Sequence, residues 1–210
     1  MSDIALKTII LLTGESEADA LSRFLKAENE TLNIVSAPTK EHLDRICEQI
    51  EPGTRLISFC SPVIVPARHL QKMDCGSYNF HPGPPSYPGR YPSVFALYDD
   101  AKNFGITVHE MVERVDEGAI VEARWFPIPP DCDLETLDTL AFQDLVDTFR
   151  RLTHRLVKES PKLRTKPIGW SGTKRSKADC NALCTLEPGL SEIESEKRRR
   201  VCGPHLSRNT

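Results

Sequence analysis

Short apolar runs alternate with segments of helical period through the first sixty residues, and that alternation narrows the fold more than any other feature of the chain. Residues 8–13 (TIILLT) are mostly apolar and β-branched and are bounded by Gly14. Such a run reads as a strand buried on both faces, as in a parallel sheet, rather than one with a wet face. Residues 15–27 then carry Ala18, Leu21, Phe24 and Leu25 at helical spacing. Residues 32–36 (LNIVS) suit a second strand, Pro38-Thr39 opens a helix over residues 40–50, and Pro52-Gly53 breaks it before a third strand at 55–60 (RLISFC). Strand and helix alternating through short connections predict a three-layer α/β domain with a mainly parallel sheet.

The pattern loosens further along. A short helix is expected near residues 67–73 and a strand at 76–80 (GSYNF), running into His81-Pro82. A proline- and glycine-dense loop (HPGPPSYPGRYP) follows, then a helix over about 93–100 and strands at 106–112 and 119–127, which need not all be parallel. Residues 134–158 show the apolar period of one long helix through Leu137, Leu140, Ala141, Leu145, Phe149, Leu152 and Leu156. Beyond Pro161 basic and small polar residues take over, so the division expected is a domain over 1–160 and a C-terminal extension over 161–210, irregular but for one short helix near 178–186.

With 210 residues the chain can bury a core without a metal or disulfide staple, and 39% hydrophobic with 27% charged residues is a soluble globular balance. A net charge of −3 gives no general attraction to nucleic acid or to an anionic membrane. The longest apolar run near the start, residues 9–12, lacks the flanks of a signal peptide and is too short to span a bilayer, so a cytoplasmic protein is expected. The seven cysteines have irregular spacing and no C-x-x-C pair. Cys180 and Cys184 could share one helix face and a metal, but no histidine or acidic partner stands at ligand spacing; reduced thiols and no metal are the expectation.

The densest chemistry lies in Asn79-Phe80-His81-Pro82. Residues two apart on a strand project to one face, so Asn79 and His81 point together. Pro82 cannot continue a hydrogen-bonded ladder, which puts His81 at the carboxyl end of its strand, where open α/β sheets hold their ligands. A titratable imidazole beside a neutral amide donor suits a carbonyl that becomes an oxyanion on attack. Asp116, in the turn Val115-Asp116-Glu117-Gly118, would orient that imidazole if the fold brings it near. Taken singly, a histidine before proline is more often structural, and an aspartate before a glycine is more often turn chemistry.

The set in order is more specific: strand–Asn–x–His–Pro, the loop with Tyr87-Pro88-Gly89, Gly105-Ile106-Thr107-Val108-His109, then Val115-Asp116-x-Gly118. From about Ile57 through Phe126 it resembles the formyl-tetrahydrofolate-dependent formyltransferases, the group containing glycinamide ribonucleotide transformylase, methionyl-tRNA formyltransferase and the sugar N-formyltransferases. The resemblance implies a three-layer Rossmann-like domain. It implies that Asn79, His81 and Asp116 are catalytic, and that 10-formyltetrahydrofolate donates a formyl group to a primary amine without a metal. It also implies a pterin pocket lined largely by backbone, here at Phe59, Cys60, Ser61, Val63, Val65, Val112 and Val115. His109 matches a histidine of the transformylase branch, where support of the site and plain strand packing are equal readings.

Departures bear on the acceptor. Gly14-Glu15-Ser16-Glu17 follows the first strand, and two glutamates at a helix N-terminus repel a phosphate, which disfavours glycinamide ribonucleotide. Methionyl-tRNA is disfavoured by the negative charge and by the lack of room for a complete second domain. A small amine remains, with an amino-sugar nucleotide the best specific acceptor and Trp170, Lys174 and Arg175 as residues to hold it. A homodimer is left open. The alternatives are a same-family hydrolase that releases formate, and a non-catalytic folate-binding module; an ordinary dinucleotide-binding protein lacks the G-x-G-x-x-G it would need.

Overall fold

Every position of the strand Thr54–Phe59 is buried, the condition of a strand flanked by partners and covered on both faces. A computed structural model of the chain describes residues 4–187 and 189–208; the very start of the N-terminal stretch and the last two residues of the extension lie outside them. The elements run β1 (Thr8–Leu12), α1 (Glu15–Glu28), β2 (Asn33–Ser36), α2 (Lys40–Glu48), β3 (Thr54–Phe59), α3 (Ala67–Leu70) and β4 (Ser77–His81). They continue with α4 (Pro92–Tyr98), β5 (Asn103–Glu110), β6 (Ile120–Pro127), the long α5 (Leu134–Lys158), α6 (Lys177–Leu183), β7 (Thr185–Leu186), α7 (Glu192–Cys202) and β8 (Ser207–Arg208). The alternation read from the first sixty residues is therefore present element for element. In the C-terminal extension α7 joins the one short helix expected there.

The chain divides into two compact units. One takes Met1–His81, Thr107–Glu122 and Leu145–Ile168; the other takes Pro82–Ile106, Ala123–Asp144 and Gly169–Thr210. The sheet has the order β2-β1-β3-β4-β5-β6. β1 pairs in parallel with β2 and β3, β3 in parallel with β4, and β4 antiparallel with β5.

Within the first unit the alternation of side chains along each strand separates two packing faces. Ile10, Leu12 and Leu56 point to one, where Leu43 and Cys47 of α2 pack with Val65 and Met73. Phe59 and Phe80 point to the other and meet Phe149 of α5, with ring centroids 6.1 and 5.1 Å away. These aromatic contacts add about 0.5–1.5 kcal/mol per pair beyond simple burial. The same face holds Arg55, which is fully buried. Its guanidinium lies over the Tyr78 ring at 5.4 Å, and burial pulls its pKa below the usual value.

Arg55 is tolerated there because carbonyls surround it. Its Nε donates to Cys75 O (2.8 Å), and its terminal nitrogens donate to Leu156 O, to Glu159 O (2.6 Å) and to Pro161 O (3.2 Å). The last three are carbonyls at and just beyond the last turn of α5, which the helix itself leaves without donors. Tyr78 continues the arrangement by accepting the Leu163 N–H at 2.7 Å.

In the second unit α4 is buried from Ser93 to Leu97, and α7 is tied beside it by the Tyr98 hydroxyl donating to Glu194 (2.9 Å) and by Lys197 to Asp100 (2.6 Å). Cys184 and Cys202 form a disulfide that joins the C-cap of α6 to the end of α7. This corrects the expectation of seven reduced thiols. Their separation of 18 residues matches no motif, and only the folding of α7 back onto α6 brings them together. Cys180 stays a buried thiol, 3.9 Å from the Cys184 sulfur. Among the described residues no helix is long and apolar enough to cross a membrane.

Replacing Arg55 with Met keeps the volume but strands the Cys75, Leu156 and Glu159 carbonyls. Urea denaturation is expected to show a loss of about 3 kcal/mol; an unchanged midpoint would mean that the guanidinium contributes nothing net.

Candidate active site

The register of β4 against β5 assembles the site. Asn79 lies opposite His109, and His81 opposite Thr107. Directly opposed residues of an antiparallel pair share a face, so all four project from the side of the sheet that Phe80 does not occupy. β4 ends at His81 because Pro82 has no N–H to continue the ladder.

The third member arrives through the turn after β5. Asp116 sits in the left-handed region, at φ 52°, and is 3% exposed. A Cβ on Gly118 would stand 1.9 Å from Glu110 O, so only glycine lets this loop close against the end of β5. The Glu110 N–H to Ala119 O bond, at 2.9 Å, fixes the closure.

The carboxylate thereby lies between two imidazoles. Asp116 Oδ2 is 3.8 Å from His81 Nδ1, and Oδ1 is 3.1 Å from His109 Nε2. All three side chains are nearly sealed, at 6%, 3% and 2% exposure for His81, His109 and Asp116. Such burial makes a carboxylate–imidazole attraction stronger than in water, and makes loss of either partner costly.

His109 is the hub of this group. Its Nδ1 lies 2.7 Å from Glu110 O, and a carbonyl only accepts, so Nδ1 carries the proton. Nε2 then takes the Asn79 amide N–H across 3.2 Å. The same Nε2 lies 3.1 Å from Asp116 Oδ1, so the ring stands between the amide and the carboxylate. This link was not legible beforehand: the sequence put His109 near the site, but only the β4–β5 register places it against Asn79.

The residues expected to hold a pterin fall into two segments. Phe59 and Val65 are buried, and Phe59 lies in the β3–β4 ladder opposite Phe80. Cys60 is exposed and takes a positive φ of 49° at the end of β3. Ser61 and Val63 are partly exposed, and the Ser61 hydroxyl accepts the Val63 N–H at 3.3 Å. Val112 and Val115 stand 42% and 41% exposed beside Asp116 in sequence. Apolar side chains left exposed in this way are of the kind that line small-molecule sites. Asn79, His81, Asp116 and these seven residues all fall in the first compact unit.

The comparisons name the class of protein to which this fold belongs, a formyltransferase. The family model described as formyl transferase matches residues 13–145, and the chain belongs to that family. It is 28% identical over 156 residues to a dTDP-4-amino-4,6-dideoxyglucose formyltransferase of Mycobacterium tuberculosis, a match covering 69% of this chain and 63% of the relative. The chain thus spans less than two thirds of that relative's length. Among solved structures, a sugar N-formyltransferase from Shewanella sp FDAARGOS_354 superposes with a TM-score of 0.75 at 19% identity, over 93% of this chain and 87% of the other. The formyltransferase PseJ from Anoxybacillus kamchatkensis, solved with UDP-4,6-dideoxy-4-formamido-L-AltNAc and tetrahydrofolate, gives a TM-score of 0.66 at 19% identity, over 87% and 93%. At such identities the structures establish the fold.

Replacing His109 with Leu would leave the Asn79 amide without its acceptor and Asp116 with one imidazole. Folate-dependent turnover is expected to fall on the order of 10²-fold with little change in KM for the folate. A turnover equal to wild type would reduce His109 to packing.

Proposed function

We propose that this chain transfers the formyl group of 10-formyltetrahydrofolate to the primary amine of a small acceptor, an amino-sugar nucleotide, with Asn79, His81 and Asp116 as its catalytic residues. One observation carries the reading: a buried carboxylate lies within 3.8 Å of the His81 ring, on the same sheet face as the Asn79 amide. That set supplies a proton carrier, a neutral donor and a charge to orient them.

The neutral amine attacks the formyl carbon, and the carbonyl oxygen becomes an oxyanion. Protonated His81 and the Asn79 N–H stabilise it where the charge develops. As the bond from carbon to N10 breaks, the amine loses a proton and N10 gains one. Asp116 holds the imidazole in its charged form and assists that movement, through water, over a gap too long for a direct hydrogen bond. No step needs a metal. The pterin is held by Phe59, Cys60, Ser61, Val63 and Val65 after β3, and by Val112 and Val115 before Asp116.

Several features weigh against the larger or phosphorylated acceptors of the family. Gly14 caps α1 without a side-chain bond, but Glu15 and Glu17 occupy the first turn, where a ribonucleotide phosphate would meet two carboxylates. The basic run at 197–200 is already matched by acids: Lys197 and Arg200 with Asp100, Arg198 with Glu194, and Arg199 with Glu192 and Glu196. Paired in this way it offers little to nucleic acid. The names of the relatives favour a sugar nucleotide. The reading takes the cytoplasm as the compartment and residues 1–160 as the catalytic domain, asks for no membrane or nucleic-acid partner, and leaves a homodimer open.

Purified protein incubated with 10-formyltetrahydrofolate and a panel of amino-sugar nucleotides is expected to form tetrahydrofolate only when an amine is present. His81→Ala and Asn79→Ala should each slow that reaction, the second by about 10²–10³-fold. Full formate release without any amine would make the protein a hydrolase. Folate binding with no turnover would make it a binding module.

A further inference from the structure

The second compact unit holds a pocket of about 620 Å3 that takes no part in the chemistry described above. Its size is within the range of small-molecule sites. We propose that it binds a neutral pyranose ring, stacked on Trp125 and held through its hydroxyls by Asp99 and Asn103.

The pocket is built on a fixed frame. The segment from Ser171 to Arg175 is zipped to the proline-rich loop by Ser171 N–H to Pro85 O (2.9 Å), Arg175 N–H to Pro88 O (3.0 Å) and Arg90 N–H to Arg175 O (2.7 Å). Two glycines permit that approach. A Cβ on Gly89 would stand 2.1 Å from Arg175 O, and one on Gly172 would stand 2.2 Å from Ser86 O. Both sides of the pocket mouth are thus held by backbone, which lowers the ordering cost of a ligand.

The lining then decides the ligand. Trp125 is 52% exposed and presents an aromatic surface to the pocket. Asp99, Asn103, Ser86 and Thr173 line it as well and bring a carboxylate, an amide and two hydroxyls to the pocket's walls. The Tyr87 hydroxyl hydrogen-bonds to Asp99, and burial together with that carboxylate pushes its pKa to about 12. Asp99 is therefore oriented before any ligand arrives and keeps lone pairs to spare, since a carboxylate can accept about four hydrogen bonds.

Charge excludes the alternatives. Arg175 is the lining's one cation and Asp99 its one anion, and the Arg175 guanidinium already lies over the Phe95 ring at 4.9 Å. A diphosphate would find one occupied cation and one repelling carboxylate. An amine would find the lining's carboxylate already bonded to Tyr87 and a guanidinium in the same lining. A purely apolar ligand would strand four polar side chains. A pyranose has an apolar C–H face for the indole and a rim of hydroxyls for Asp99 and Asn103, and it carries no charge.

The test uses the full chain with no folate present, so its outcome is separate from that of the formyl-transfer reading. Indole N–H signals of the 15N-labelled protein, assigned with Trp125→Phe, are followed as methyl α-glucopyranoside, methyl α-fucopyranoside and inorganic pyrophosphate are added in turn. At least one glycoside is expected to move the Trp125 signal saturably, with a midpoint of about 1 mM. Asp99→Ala or Asn103→Ala should raise that midpoint roughly tenfold. Asn103 is exposed, so the melt of its variant should match wild type, whereas Asp99→Ala also loses the bond to Tyr87, and a circular dichroism spectrum checks that both variants fold. No saturable shift with either glycoside, a shift with pyrophosphate alone, or a shift indifferent to both variants would each overturn the proposal.

Discussion

When β5 runs back antiparallel to β4, the residues that face one another across the pair are fixed by register and by nothing local. One residue of slip would send His109 to the opposite face, into the aromatic packing around Phe149, and leave Asn79 facing a different residue. The register is held where it is by the burial of Phe104, Ile106 and Val108 on alternate positions of β5 and by the tight closure at Gly118. The geometry around Asp116 therefore depends on hydrophobic alternation several residues away. The polar side chains occupy the places which the apolar pattern leaves to them.

The opposite face supplies stiffness. Arg55 reaches through the packing to the last carbonyls of α5, and Tyr78 holds the chain just after them. Tyr78 and Asn79 are neighbours on β4, one pointing to each side. A strand anchored by a buried hydrogen bond on one face has little freedom to tilt on the other, and the oxyanion donor proposed at Asn79 acts only if it is already in place when charge develops.

Much of this was legible in the sequence, for a physical reason. Strands buried on both faces need continuous apolar runs, so β1 and β3 announce themselves, and the period of two makes Asn79 and His81 neighbours without knowledge of any partner. Asp116 is different. Its turn says only that the chain reverses, and resemblance alone brought it to His81, while the structure supplies the 3.8 Å distance. The disulfide between Cys184 and Cys202 was illegible because it depends on α7 folding back, and α7 itself is a highly charged helix with little apolar period. Its apolar anchor, Val201 with Cys202, falls at the very end. The interleaving of the two units was equally hidden, since compactness arises from contacts between distant segments.

The same contrast explains why the reaction can be read further than its acceptor. The groups proposed to touch the formyl carbon must meet strict distance and charge requirements, which few residue types satisfy, so the strand and turn that carry them keep recognisable patterns. An acceptor needs only shape and hydrogen bonds around an amine. Those can come from irregular segments, and residues 169–176 show how little of such a segment a sequence records, their conformation being set by glycines and backbone bonds to another loop. A sequence records that Gly172 is a glycine but not that a carbonyl lies where its side chain would be. Recognition surfaces made by such close approaches become visible only once the partner loop is in place.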